Sequence, residues 1–390
     1  MTEDYPTWLL RAMLSVPSVS GQEARVASFV ADQMGRLGMR AHVDAVGNAI
    51  GEIGPADGPL ILLLGHLDTV PGLLSVCQIG ELLYGRGAVD AKGPLAAMIC
   101  AAATAGVDAR VVVCGAVGEE VPGSRGTRHL LETLPEPAAV IIGEPSGWDG
   151  VCLGYKGRVG LAYEVTRAPM HTSSPEETAV EAATAFWRAV DGYIRDTYGG
   201  GVAFDSAAAT LTDLTGDLRQ ARALITCRVP VGFDFDAFDA FVTQAAVQAQ
   251  VTVDERVPAV RSPMDDPTAR ALRVAIRAHG AKPVVKVKAG TADMNVVASR
   301  YAVPIVAYGP GDAHLDHTDD EHLHLPELYK AISVLRQALQ TLPGLLRTDK
   351  SATDKSATDK AAIDKAAIDK AATGGKARTR EAGTSVAGAR

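Results

Sequence analysis

The chain has 390 residues, 47% of them hydrophobic, and a formal net charge of −8 at pH 7. That is enough apolar material for two or three domains, and the acidic balance argues against a nucleic-acid-binding surface. No apolar stretch reaches bilayer-spanning length, and the N-terminal MTEDYPTWLLRAM carries Glu3 and Asp4 where a secretory leader would be basic, so a cytoplasmic protein with no membrane attachment is expected. Cys77, Cys100, Cys114, Cys152 and Cys227 form no C-x-x-C pair, which speaks against a zinc knuckle or a disulfide framework and for reduced thiols.

Asn48–Ile53 and Leu60–Leu64 read as strands, the second as a buried one because five apolar residues run together. The Ala-rich stretch from Gly93 to Ala105 reads as a helix, Arg110–Val117 as a β-branched strand, Thr127–Leu134 as a helix and Ala138–Ile142 as another buried strand. This alternation predicts an α/β fold with a mostly parallel sheet covered on both faces. The middle differs. Strand 157–166, helix 178–196, strands 208–212 and 221–229, helix 234–248 and strand 251–256 follow the β-α-β-β-α-β order of a ferredoxin-like unit. The internal hairpin predicts an inserted domain over 155–262, leaving 1–154 and 263–346 as one discontinuous domain that closes with strands 284–288 and 304–307 and a helix over 326–342.

From Thr348 the chain repeats every five residues (TDKSA, TDKSA, TDKAA, IDKAA, IDKAA) and then runs out in TGGKARTREAGTSVAGAR. A period of five matches neither helix nor strand, so 347–390 is expected to be a low-complexity disordered tail. That tail holds ten basic and six acidic residues, a net +4, so the rest of the chain carries −12.

The chemistry sits at strand ends. GHLDTVPG, Gly65–Gly72, puts His66 and Asp68 where the Leu60–Leu64 strand finishes, at the carboxyl edge where open α/β sheets place their sites. One His-x-Asp could equally cap a strand. Four further segments repeat the placement: GRGAVDAKG with Asp90, VVVCGAVGEE with Glu119 and Glu120, AAVIIGEPS with Glu144, and AHLDHTDDEH with His317. Each acid alone is readily a solvated loop residue; five at equivalent ends of one sheet converge. The donor types suit zinc-class ions, which take imidazole nitrogen and carboxylate oxygen, and a pair of ions needs a shared anionic bridge. Adjacent in an extended segment, Glu119 and Glu120 point apart, so one can bind metal and the other act as a general base. Asp68 can accept the second N–H of His66. The motif G-x-S-x-G of serine hydrolases and the H-E-x-x-H of single-zinc proteases are absent.

In order and spacing, GHLDTVPG, GRGAVDAKG, GEEVPGSRG, GEPS and LDHTDDE resemble the ArgE/DapE/carboxypeptidase-G/aminoacylase superfamily of co-catalytic zinc hydrolases, over about residues 5–345. The resemblance implies a zinc-peptidase-like catalytic domain with a lid or dimerisation domain inserted, and two Zn2+ or Co2+ per subunit. It implies His66, Asp90, Glu120, Glu144 and His317 as ligands, Asp90 as their bridge and Glu119 as the base. His171 in APMHTSSPEET matches a lid-domain His that in dimeric members reaches the partner's site and polarises the scissile carbonyl; it could instead cap the helix that follows. Arg228 in TCRVP matches a lid-domain Arg that binds the substrate carboxylate, although Thr226 stands where the family usually has Asp. GTADMN, with Gly290 and Thr291, matches a substrate-pocket loop. His314, His322 and His324 fall outside the pattern.

Within the superfamily, GYKGR at 154–158, AGTADMNVV and GPGDAHLDHT resemble hydrolases that release lysine or ornithine from the terminal γ-glutamyl group of a small acidic amino-group carrier protein. A homodimer is expected on the same ground. Lys282, Lys286 and Lys288 would form a basic patch for that carrier, or a solvated strand edge protected by lysines. The mechanism expected is amide hydrolysis with Glu119 as base and then proton donor, and Arg228 on the α-carboxylate of the released amino acid. The alternatives are an N-acetyl-ornithine or N-acetyl-lysine deacetylase, a succinyl-diaminopimelate desuccinylase, a dipeptidase, or a non-catalytic binding protein on the same fold.

Overall fold

A computed structural model describes residues 4–348. The main body extends to Leu342; residues from Pro343 onward form a second unit, of which 343–348 are described, as helix. The tail expected to be disordered lies, from 349 on, outside the described residues.

Among the described residues, the central sheet has nine strands. Its middle is parallel. Leu60–His66 lies between Arg110–Ala116 and Ala139–Ile142, and Ile305–Ala307 follows on the far side of the latter. All seven residues of Leu60–His66 are buried, as a continuous apolar run covered on both faces must be. The Lys92–Ala105 helix packs against this strand and Arg110–Ala116. The flanks are antiparallel, with Ala49–Ile53 and Arg40–Val43 on one side and Gly150–Tyr155 on the other. Val284–Lys288 pairs in parallel with Gly150–Tyr155.

Residues 157–257 build a separate four-stranded antiparallel sheet in the order Ala208–Gly216, Gln220–Val229, Gly157–Thr166, Gln250–Val257. Helices Ala179–Tyr198 and Phe235–Ala245 interrupt the strands in the expected β-α-β-β-α-β order. Inward residues alternate along Gln220–Val229, and Leu161, Tyr163, Phe186, Val190, Ile225 and Phe238 form a core of their own.

A three-stranded sheet that the sequence reading did not foresee joins Cys77–Ile79, Leu82–Tyr84 and His322–His324. Leu82–Tyr84 runs into GRGAVDAKG, and His322–His324 runs out of LDHTDDE. Their pairing brings two of the five motifs together. Helices Tyr5–Leu14, Ala24–Arg36, Pro267–Ala278 and Asp293–Arg300 were also not read from the sequence. The last of these absorbs half of GTADMN, which is therefore a helix entry rather than a plain loop.

Candidate metal centre

His66 is the last residue of its strand, and Glu119–Glu120 and Glu144 follow the two strands parallel to it. Neighbouring parallel strands end side by side, which gathers these groups at one edge. Asp90 arrives from the turn before the Lys92–Ala105 helix, through a cis peptide to Ala91. A Cβ at Gly93 would stand 2.3 Å from the Ala88 carbonyl oxygen, so the glycine in this motif is what lets the turn close on the helix.

Among the described residues, two groups of side chains could each hold an ion: His66, Asp90 and Glu144, and Asp90, Glu120 and His317. They share Asp90. Its Oδ1 lies 3.1 Å from His66 Nε2 and its Oδ2 lies 3.0 Å from His317 Nε2. Glu144 Oε1 is 3.8 Å from His66 Nε2, and Glu120 Oε1 is 3.1 Å from His317 Nε2. All five residues expected as ligands are thus brought together, in two sets joined by one carboxylate.

The charge balance fits a cationic occupant. Burial, with the Asp90 charge beside it, raises the Glu144 carboxyl to about 7. Burial, helped by the charges of Glu144 and Asp293 and opposed by His66, leaves Glu119 well above the ordinary carboxyl range. Asp316 is raised to about 8 by burial and by Asp90, and its Oδ1 is buried without a hydrogen-bond partner. Burial opposes charge on His66, yet Asp68 and Asp90 raise it well above its usual value, and Asp90 and Glu120 raise His317 to about 10. Imidazole nitrogens and surplus carboxylate oxygens in one place are the donor set of a pair of zinc-class ions.

Asp68 departs from the expected geometry. His66 Nδ1 lies 2.9 Å from the Asp68 backbone carbonyl oxygen, whereas the nearest carboxylate oxygen is at 3.6 Å, beyond hydrogen-bond length. The carboxylate is engaged elsewhere: Oδ1 accepts the Glu119 N–H at 3.1 Å, and Oδ2 accepts the Glu120 N–H at 3.0 Å and the Ser20 hydroxyl at 2.8 Å. Burial opposes the charge, but the neighbouring His66, and after it the Glu120 N–H and the Ser20 hydroxyl, outweigh burial and hold Asp68 ionised, with a carboxyl lowered to about 2. Gly118, at φ 71°, makes the turn that presents both N–H groups to it.

Glu321, buried in LDHTDDE, was not singled out from the sequence. Its Oε1 accepts the N–H of Val89 at 2.9 Å and of Asp90 at 3.1 Å, and its Oε2 accepts from Arg86 at 2.9 Å and from the Gly87 N–H at 3.1 Å. The buried carboxylate thereby fixes the Asp90 turn.

A cavity of about 330 Å³ opens beside the centre, lined by Glu119, Glu120, His317, Arg228, Thr291 and Glu255 among others. Arg228 donates to Thr291 Oγ1 at 2.6 Å, and Thr291 donates to the Lys156 carbonyl at 2.9 Å. Thr291 thus supplies the support that Asp two positions before the Arg would give. A bulge between Val253 and Glu255 turns Glu255 away from the sheet's own core; it accepts from Arg158 at 2.9 Å and from the Gly123 N–H at 3.2 Å. Gly290 is half-buried with open space around its Cα.

His171 is not brought to the centre of its own chain. It is exposed, and its Nδ1 lies 2.8 Å from Ser173 Oγ. It does not cap the following helix, which Thr178 and Glu181 cap reciprocally. The expected lysine patch is also altered. Lys288 points inward, with Nζ 3.9 Å from Glu144 Oε2 and 5.7 Å from the Tyr155 ring centroid, and Lys286 donates to the Ser146 carbonyl at 2.7 Å. His314, His322 and His324 pair with Asp312, Asp320 and Glu81, away from both ligand groups.

Residues 62–341 match the model of peptidase family M20/M25/M40. The chain belongs to this family. It is 43% identical over 353 residues to a LysW-lysine hydrolase of Deinococcus radiodurans, covering 86% of this chain and 96% of that one. It is 36% identical to a putative LysW-lysine/LysW-ornithine hydrolase of Pyrococcus abyssi, covering 86% and 93%. Among solved structures, a metallo-carboxypeptidase of this family from Sulfolobus solfataricus superposes with a TM-score of 0.72 at 18% identity, over 88% of this chain and all of the other. A dinuclear metal-binding peptidase from Bacillus subtilis gives 0.64 at 15%, over 86% and 97%. The protein is a metal-binding hydrolase of this family.

Proposed function

We propose that the protein hydrolyses the amide linking lysine or ornithine to the γ-glutamyl terminus of an amino-group carrier protein, in lysine or arginine biosynthesis in the cytoplasm. The division of Asp90 between His66 and His317 carries this reading, because it suits a two-ion hydrolytic site, and the names of the LysW-hydrolase relatives support the substrate. His66, Asp90 and Glu144 would hold one ion and Asp90, Glu120 and His317 the other, with Zn2+ or Co2+ as the pair. Bound there, such ions polarise an amide carbonyl and make water acidic enough to attack it at neutral pH.

The chain's own residues do the rest. Glu119, in the cavity beside Glu120, takes the proton of the attacking water and returns it to the leaving α-amine. Asp68 holds the backbone of both glutamates in place. Arg228, steadied by Thr291 beside Gly290, binds the α-carboxylate of the departing amino acid. In a homodimer assembled through the 155–262 domain, the exposed His171 would serve the carbonyl of the neighbouring copy.

Incubating metal-loaded protein with lysine-loaded carrier and following the carrier's mass tests this reading. Loss of one lysyl residue from the carrier supports it. An unchanged carrier together with rapid turnover of N-acetyl-ornithine would replace it with the deacetylase alternative.

A further inference from the structure

The strand Val284–Lys288 has one side to spare. It pairs with Gly150–Tyr155, and among the described residues no strand pairs with its other edge. Val284, Val285 and Val287 are 43%, 38% and 39% exposed, an open β-branched edge of the kind that accepts a further strand. Lys286 and Lys288 share one face by the strand's period of two. Their ammonium groups approach the metal centre in turn. Lys286 reaches the Ser146 carbonyl, just past Glu144, and Lys288 lies 3.9 Å from the Glu144 carboxylate. Lys282 stands exposed ahead of the strand. Just beyond Lys288, Thr291 lines the reaction cavity and bonds Arg228. One segment therefore joins a free sheet edge, a row of positive charge and the site of chemistry, in a body that is otherwise acidic.

We propose that Val284–Lys288 is the docking edge for the segment of the acidic carrier that ends in its loaded γ-glutamyl group, bound in extended form. The segment adds as a further strand, its backbone pairing with the free edge and its acidic side chains falling near Lys282 and Lys286. Its last residue is then delivered past Lys288 to the cavity at Thr291. Backbone pairing supplies affinity independent of side chains, and the lysines select acidic ones. This inference rests on the carrier-linked reading above.

The test compares lysine-loaded carrier with free γ-glutamyl-lysine, which is too short to occupy the edge. In Lys282→Glu and Val285→Glu, kcat/KM for the carrier should fall by about tenfold or more through KM, with γ-glutamyl-lysine turnover unchanged. In wild-type protein, carrier binding should slow amide hydrogen exchange over 284–288. Unaltered carrier kinetics in both variants, or unaltered exchange, would overturn the docking while leaving the hydrolase reading intact. Wild-type protein that cleaves neither substrate would overturn the hydrolase reading and the docking with it.

Discussion

Glu321 accepts the backbone N–H of Asp90 at 3.1 Å, so an acid from the His317 loop fixes the turn whose carboxylate both histidines face. Supporting groups of this kind typically govern metal affinity by about 10–100-fold. Glu321→Gln keeps the shape but weakens four hydrogen bonds that now end on a charge. Calorimetric titration with Zn2+ should show affinity reduced by about that factor in a folded protein. Unchanged affinity would mean that the Asp90 turn holds itself.

Glu119→Ala removes the assigned base while sparing both ligand groups. General-base loss costs about 10²–10⁴ in rate, so kcat should fall by at least that factor with the bound metal unchanged. Elemental analysis and initial rates on one preparation check both halves. Near-normal kcat would remove Glu119 from the mechanism.

Arg228 and Thr291 meet at 2.6 Å, and the pair should act as a unit on the substrate carboxylate. Arg228→Ala should raise KM for a substrate with a free α-carboxylate by about 1.5–3 kcal/mol of lost binding, roughly 10–150-fold, and leave the matching α-amide substrate little changed. Thr291→Val should show a smaller effect of the same kind. Equal losses on acid and amide would point to a structural role for both.

The metal-free protein should lose stability as pH rises from about 5 to about 9. The folded carboxyl values of Glu144, Asp293 and Asp316, about 7, 6 and 8, exceed their unfolded ones, so each disfavours the fold once pH passes through that range. His66 and His317 act in the same direction, since the stability from their raised values is complete below about 6.5 and fades as pH climbs through the folded value. Saturating Zn2+ should raise Tm most at the alkaline end. A metal-free Tm that rises between pH 5 and 9 would contradict this charge balance.

The residues of the two candidate ligand groups stand out in the sequence because they sit in short local patterns, His66, Glu120 and Glu144 at or just past the ends of apolar runs and Asp90 and His317 in a glycine-rich turn and an acidic loop. The separate sheet of 157–257 was legible for a similar reason, in the order of its strands and helices. Glu321 was not, because in LDHTDDE it reads as part of a solvated charge run with Asp319 and Asp320, and only the pairing of Leu82–Tyr84 with His322–His324 buries it. Asp68 was assigned to the histidine two residues away, whereas its carboxylate bonds a backbone some fifty positions on. Lys288 looked like one of three surface lysines until the fold turned it toward Glu144. Local chemistry is written in spacing, but the groups that hold it in place come from distant segments.

The most direct test of the central claim, a two-ion site bridged by Asp90, is metal content by mass spectrometry after saturation with Zn2+ and gel filtration, for wild type and Asp90→Asn. Two ions per chain in the wild type, and loss of both in Asp90→Asn, is the expected result. A single ion per wild-type chain, or two ions retained without the Asp90 carboxylate, would contradict it.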